Sequence, residues 1–197
     1  RSLQSATSAL RYAEVPVVVC PAGLVLGGAC EILLHADRVQ AAAESYIGQV
    51  EVGVGLVPAG GGTKELLARA MEREEAAAGA DQAAPPGQAD LLSVVQSVFE
   101  TIGFGKVSTS AADARRLGFL RDVDAVTMNR DRVMFDAKTL ALTRVRDGYR
   151  PPPRRTARRP SCAAPPARSP WRARSTAGTA RTAPPARPTS RRAATPS

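Results

Sequence analysis

Gly27-Gly28-Ala29-Cys30-Glu31 is followed by Gly48-Gln49-Val50-Glu51, and that by Pro58-Ala59-Gly60-Gly61-Gly62-Thr63. A Gly-Gly turn lets a backbone N–H approach a ligand closely, because no Cβ stands in the way. If a helix starts there, its unpaired N–H groups and its dipole favour negative charge, equivalent to roughly half a positive charge at that end. A carboxylate one turn in, Glu31, and a second delivered by a following loop, Glu51, make a pair for acid and base work. Oxyanion donors beside paired carboxylates suit chemistry on a thioester carbonyl and its neighbouring carbons. A lone glutamate on a helix is usually a solvated side chain. The Gly-Gly before Glu31 and the Gly-Gln-x-Glu setting of Glu51 favour the catalytic reading for both.

Upstream, Leu3, Ala6, Leu10 and Ala13 fall at helical spacing, and Pro16 stops that helix. Residues 17–20 read as a buried parallel strand. The next helix begins near Gly28 and turns Cys30, Ile32, Leu33 and Leu34 inward. Residues 38–41 and 46–48 are short strand candidates, and residues 61–71 open a helix with Leu66, Leu67 and Ala70 on its inner side. This alternation argues an α/β domain. Residues 72–90, rich in Ala, Glu, Pro and Gly, read as a linker or insertion. Helix resumes with Leu91, Val94, Val95, Val98 and Ile102 on one face. Ser110-Ala111-Ala112-Asp113 has the form of a capping box for a helix that Gly118 ends. A last helix, residues 129–146, should bury Val133, Ala137, Leu140 and Ala141. The expected divisions are a core over 1–71, a linker over 72–90, a helical segment over 91–150 and a tail over 151–197.

The 197 residues carry a net charge of +9, which would ordinarily suggest nucleic acid or an acidic membrane. Its distribution argues otherwise. The tail holds 11 of the 27 basic residues and no acidic ones, which leaves 16 basic against 18 acidic residues before it, a net −2. After Arg150 there is no Leu, Ile, Val, Phe or Met, so the tail is expected to be disordered. Its Arg, Pro, Ala, Thr, Ser and Gly content, all with GC-rich codons, reads as a frame-shifted translation; a basic interaction tail is the rival. Cys20, Cys30 and Cys162 show neither metal-ligand spacing nor a disulfide framework, which favours a reducing compartment. With no apolar run near ~20 residues and no signal-peptide pattern, a cytoplasmic setting is expected.

Two nucleotide readings fail on residue order. Gly55 and Gly60 have P-loop spacing, but Gly61 stands at the lysine position; a dinucleotide fingerprint from Gly53 meets Pro58 where a small residue is needed. His35, the single histidine, has no nucleophile at a diagnostic spacing and reads as a packed core residue. Glu44 and Glu65 read as solvated surface.

The three segments, with Pro21-Ala22-Gly23-Leu24-Val25-Leu26 before them and Gly55-Leu56-Val57-Pro58 between, resemble the crotonase (enoyl-CoA hydratase/isomerase) superfamily over about residues 1–120. Val52-Gly53-Val54-Gly55-Leu56-Val57-Pro58 and Val98-Phe99-Glu100-Thr101-Ile102-Gly103 are similar to the crotonase portion of large 3-hydroxyacyl-CoA dehydrogenases of fatty-acid β-oxidation. The resemblance implies a crotonase-like ββα spiral followed by C-terminal helices. That spiral is expected to be incomplete at its N-terminus, since the family's opening strands and first oxyanion loop would precede residue 1. By the same resemblance Gly28 supplies an oxyanion N–H, Glu31 and Glu51 are the catalytic carboxylates, and Gly27, Gly28, Pro58, Gly60 and Gly61 bind substrate. Gly60, Gly61 and Gly62 either shape the pocket near the pantetheine or simply start a helix. The implied activity is hydration of a 2-enoyl-CoA, with an isomerase or a non-catalytic truncated fragment as alternatives. No metal and no prosthetic group are implied: coenzyme A belongs to the substrate, and NAD enters only with a separate dehydrogenase domain upstream. The implied partners are an acyl-CoA thioester and further copies of the chain in the intact family form, with neither nucleic acid nor a membrane.

Overall fold

A computed structural model of the chain describes residues 2–80 and 91–154. Helix α1 (Ser2–Arg11) leads into β1 (Val18–Val19), β2 (Gly23–Leu26), α2 (Gly28–Leu34), β3 (Arg38–Ala42) and β4 (Ser45–Gly48). A 3₁₀ turn over Glu51–Val54 precedes α3 (Gly62–Ala80). Then come α4 (Leu91–Gly103), α5 (Ala111–Arg116), β5 (Ala125–Thr127), a 3₁₀ turn over Arg130–Arg132 and α6 (Val133–Arg146).

The strand order carries the architecture. β1 pairs with β3 and β2 with β4, all parallel, so strands adjacent in sequence lie in different sheets. Each β-β-α unit therefore adds one strand to each of two sheets, and β5 joins the first sheet beside β3. This is a spiral of ββα turns, as expected. Pro16 and Pro21, which lack an N–H, bracket β1 and limit it to two half-buried residues, where a buried strand over 17–20 was expected. Two strands escaped the sequence reading: β2 begins on a glycine, and β5 is three residues long.

The core forms where α2, β3, β4, α3 and α5 meet, around Cys30, Leu33, Leu34, Val39, Ile47, Leu66, Ala114 and Phe119. Other expectations need correction. Helix α1 buries Thr7 and leaves Leu3 and Ala6 exposed. Ile32 is 40% exposed, because the seven-residue α2 turns Cys30, Leu33 and Leu34 inward and leaves Ile32 off that face. Leu140 and Ala141 are half-buried; α6 buries Val133 and Ala137. The expected linker at 72–90 is helix as far as Ala80, since Glu, Arg and Ala are strong helix formers. Its residues 81–90, and the tail from 155 onward, lie outside the described residues. The expected cap of α5 is present: Ser110 Oγ accepts the Asp113 N–H at 3.1 Å, and the Asp113 carboxylate accepts from Thr109 N–H. Among the described residues no helix is long and apolar enough to cross a membrane.

The free edge of β4 is closed by residues 106–108. Ser108 N–H donates to the Ile47 carbonyl and Ile47 N–H to Ser108 Oγ, while Gly48 bridges Val107. A Cβ at Gly48 would sit 2.8 Å from the Lys106 carbonyl oxygen and 2.9 Å from Val107 Cγ2. Gly48→Ala is expected to lower stability by about 1–3 kcal/mol in urea unfolding. Gly53→Ala, where no atom lies within 4 Å of the new methyl, should stay within about 0.5 kcal/mol. Equal midpoints for the two variants would contradict this closure.

Candidate active site

The parallel register Leu26↔Gly48 makes β2 and β4 end side by side, and Gly27 N–H donates to the Gly48 carbonyl at 3.0 Å. The segments leaving the two strands are therefore delivered to one place. After β2 comes Gly27, the N-cap of α2, at φ +58°, a conformation side-chain-bearing residues rarely adopt. Gly28 opens the helix, and its N–H has no carbonyl four residues back to bond within α2. After β4 come Gln49 and then Glu51 in the first turn of the 3₁₀ segment.

Glu31, one turn into α2, is 2% exposed. Its carboxylate accepts the Gly60 N–H at 2.8 Å to both oxygens and the Gly62 N–H at 3.0 Å to Oε1. Gly62 is the first residue of α3, so this carboxylate caps a helix other than its own. A Cβ on Gly60 would run into Glu31 Oε2, and one on Gly62 into Gln49 Nε2. These glycines are required by close approach.

Glu51 is half-buried, and its Oε1 lies 3.4 Å from where a Cβ of Gly27 would stand. Among the described residues its Oε2 is buried with no hydrogen-bond partner, as are both polar side-chain atoms of the fully buried Gln49. Cys30, the residue before Glu31 in α2, is fully buried: burial, most of all, pushes its thiol up, the charges of Glu51 and Glu31 add to this, and Arg69 opposes it. A thiol so held is no nucleophile.

Pro58, Gly60 and Gly61 line a cavity of about 330 Å³ together with Thr7 and Ser8 of α1, His35 and Lys64. Gly27 and Gly28 are not among its lining residues, so the five expected substrate-binding positions divide between the Glu51 side and this cavity. His35 is a buried residue, as expected, and its Nδ1–H donates to the Glu31 carbonyl at 2.7 Å. Glu65 is not surface: it is fully buried, paired with Arg11 at 3.2 Å and Lys64 at 3.0 Å, with His35 Nε2 3.9 Å away. Thr7, Gln49 and Glu65 are the polar positions that sequence reasoning left without a role. The one local hint was Glu65, adjacent to core Leu66 and four residues before the buried Arg69.

Residues 1–94 match the family described as enoyl-CoA hydratase/isomerase. A Bacillus subtilis protein named a probable 3-hydroxyacyl-CoA dehydrogenase is 40% identical over 77% of this chain and 18% of its own length. The crystal structure of an enoyl-CoA hydratase from Bacillus anthracis aligns with a TM-score of 0.52 at 20% identity. That alignment covers 72% of this chain and 44% of that one, and shows the fold. The chain carries a crotonase-superfamily domain. A short-chain-enoyl-CoA hydratase from Clostridium acetobutylicum is 42% identical over 57 residues, 29% of this chain and 22% of that protein. The chain thus spans about a fifth of these curated relatives.

Within the crotonase domain the acid side of the stability curve should report on His35. Burial is the main reason its imidazole is held below the ordinary value of 6.5; Lys64 and Arg11 push the same way, while the Glu31 carbonyl and Glu65 resist. The unfolded chain therefore takes up a proton near pH 6.5 that the folded state refuses, so stability is lost as pH falls below that value. The loss should reach up to about 1.4 kcal/mol per pH unit for this one proton. His35→Gln should remove that component from pH-dependent urea unfolding; an unchanged slope would contradict the assignment.

Proposed function

We propose that this crotonase domain hydrates a 2-enoyl-CoA thioester. The observation that carries the reading is Glu51. Its Oε1 lies against Gly27, one residue before the Gly28 N–H, and its Oε2 is buried with no partner among the described residues. An acceptor left bare beside a helix start is suited to holding a water and moving its proton. The names of the Clostridium acetobutylicum relative and of a crotonyl-CoA hydratase from Syntrophomonas wolfei, 43% identical over 53 residues, support the same substrate class.

In this reading the thioester oxygen accepts the Gly28 N–H, which stabilises the negative charge that develops as water adds. The water's oxygen bonds to C3 as the C2=C3 π pair moves onto the thioester as an enolate, one proton passes from the water to a carboxylate, and that carboxylate returns a proton to C2 as the carbonyl re-forms. Glu31 already accepts from Gly60 and Gly62 and so is fixed in place, with limited lone-pair capacity for the water. Glu51, with Oε2 unengaged, carries the proton. The substrate brings its own coenzyme A.

Glu51→Gln should lower kcat for crotonyl-CoA hydration by ~10²–10⁴ with unchanged thermal unfolding, since no protein hydrogen bond to Oε2 is lost. Glu31→Gln should lower both kcat and stability, the latter by about 1–3 kcal/mol, because an amide NH₂ then faces backbone N–H donors. Wild-type kcat in Glu51→Gln would remove Glu51 from the mechanism. Conversion of a 3-enoyl-CoA to the 2-enoyl isomer without hydration would make the domain an isomerase.

A further inference from the structure

The direction of the Gly60 N–H decides where the Glu31 carboxylate is held, and nothing in Gly60, Gly61 or Gly62 themselves fixes it: glycine peptide planes turn easily. Helix α1 supplies what the loop lacks. Thr7 Oγ1, in a side chain 1% exposed, lies 2.7 Å from the Gly60 carbonyl oxygen. It also lies 3.2 Å from the Leu3 carbonyl and 3.1 Å from the Gln4 carbonyl of its own helix. One hydroxyl proton serves one strong acceptor, and 2.7 Å is the ordinary O–H···O length. One peptide earlier, Gln4 Nε2 donates to the Ala59 carbonyl at 2.8 Å. In a trans peptide the C=O and the following N–H point opposite ways. With the Ala59 carbonyl drawn toward α1, the Gly60 N–H faces Glu31.

We propose that Gln4 and Thr7 are positioning residues acting from α1: Gln4 turns the Ala59–Gly60 peptide so that its N–H faces the Glu31 carboxylate, and Thr7 holds the carbonyl of the next peptide, which keeps Gly60 from swinging away. Thr7 touches no reacting atom. Gln4 is exposed and competes with water for its bond, whereas the Thr7 bond is buried and is the stronger tether. The kinetic consequence rests on the hydratase reading; the structural coupling does not.

Two readouts keep these apart. In ¹⁵N-labelled full chain, the Gly60 amide resonance should move in Glu31→Gln, which marks it as a reporter of the carboxylate bond. Thr7→Val, which removes the O–H and keeps the branched shape, should move the same resonance and speed its hydrogen exchange; Thr7→Ser should restore both. On crotonyl-CoA, Thr7→Val should lower kcat on the order of 10-fold through misplacement of Glu31, with KM within about twofold, and Thr7→Ser should recover the rate. Should Thr7→Val not fold, Thr7→Cys, with its weak S–H donor, is measured against the same criteria. A Gly60 amide unmoved in the folded variant overturns the proposal, and so does a rise in KM alone, which would put Thr7 against the substrate. If the wild-type chain acts on no enoyl-CoA, the hydratase reading falls, and the Gly60 amide still decides whether Thr7 positions Glu31.

Discussion

The Glu31 carboxylate, buried against the Gly60 and Gly62 N–H groups, is the interaction around which the rest is arranged. An uncompensated buried carboxylate costs several kcal/mol, while a hydrogen bond to a charged group contributes about 1.5–3 kcal/mol. Only donors in the right place make its burial possible. Those donors are backbone groups at the start of α3, so α3 must begin at Gly62 and abut the first turn of α2. Residues 60 and 62 must be glycine, because the carboxylate and the Gln49 amide occupy the space a Cβ would fill. Helix α1 must lie close enough for Thr7 and Gln4 to hold the loop's carbonyls. The placement of three helices is thus tied to one side chain.

The neighbouring carboxylates are satisfied by different partners. Glu31 is satisfied by backbone N–H groups, and Glu65 by the cations Arg11 and Lys64. Glu51 keeps a buried oxygen with no partner among the described residues. The buried cation Arg69 is held by carbonyls, donating to Leu34 and Phe119 at 2.6 and 2.8 Å, and burial is the main reason its guanidinium drops to about 10. Of these groups Glu51 alone has no charged or backbone partner among the described residues, which is what supports the proposal that it takes up a proton.

What the sequence made legible was whatever local rules determine. Gly27-Gly28 before Glu31, the glycine triplet at the start of α3 and the Ser110 cap all act within a few residues, and each is where it was read. What it hid depends on distant partners. Glu65 has the composition of a surface residue, and only α1 and α2, folded onto it, supply Arg11 and His35. Thr7 sits among small polar residues, and its acceptor is 53 positions away. Helical spacing suggested an apolar inner stripe for α1, but packing against the Gly60 loop selects the face that carries Thr7 instead. The composition of the Ala- and Glu-rich segment after Met71 suggests a linker, although the same residues are strong helix formers and continue α3 to Ala80.

The spacing between Glu31 and Glu51 has a topological cause. Each turn of the spiral runs β-β-α, and the second strands of successive turns, β2 and β4, pair in parallel with Leu26 opposite Gly48. Parallel strands end at the same side of the sheet, which in open parallel sheets is where ligands bind. One turn of chain therefore returns to the same edge, bringing the stretch after Gly48 against the stretch after Leu26. A slip of one residue in that pairing would turn every side chain of β4 to the opposite face and carry Glu51 away from Gly27. The register is held by the Gly27 N–H on the Gly48 carbonyl and by Ser108 on Ile47 from the far edge. The two glutamates are thus brought to one edge less by their own identity than by the strands that end beside each other just before them.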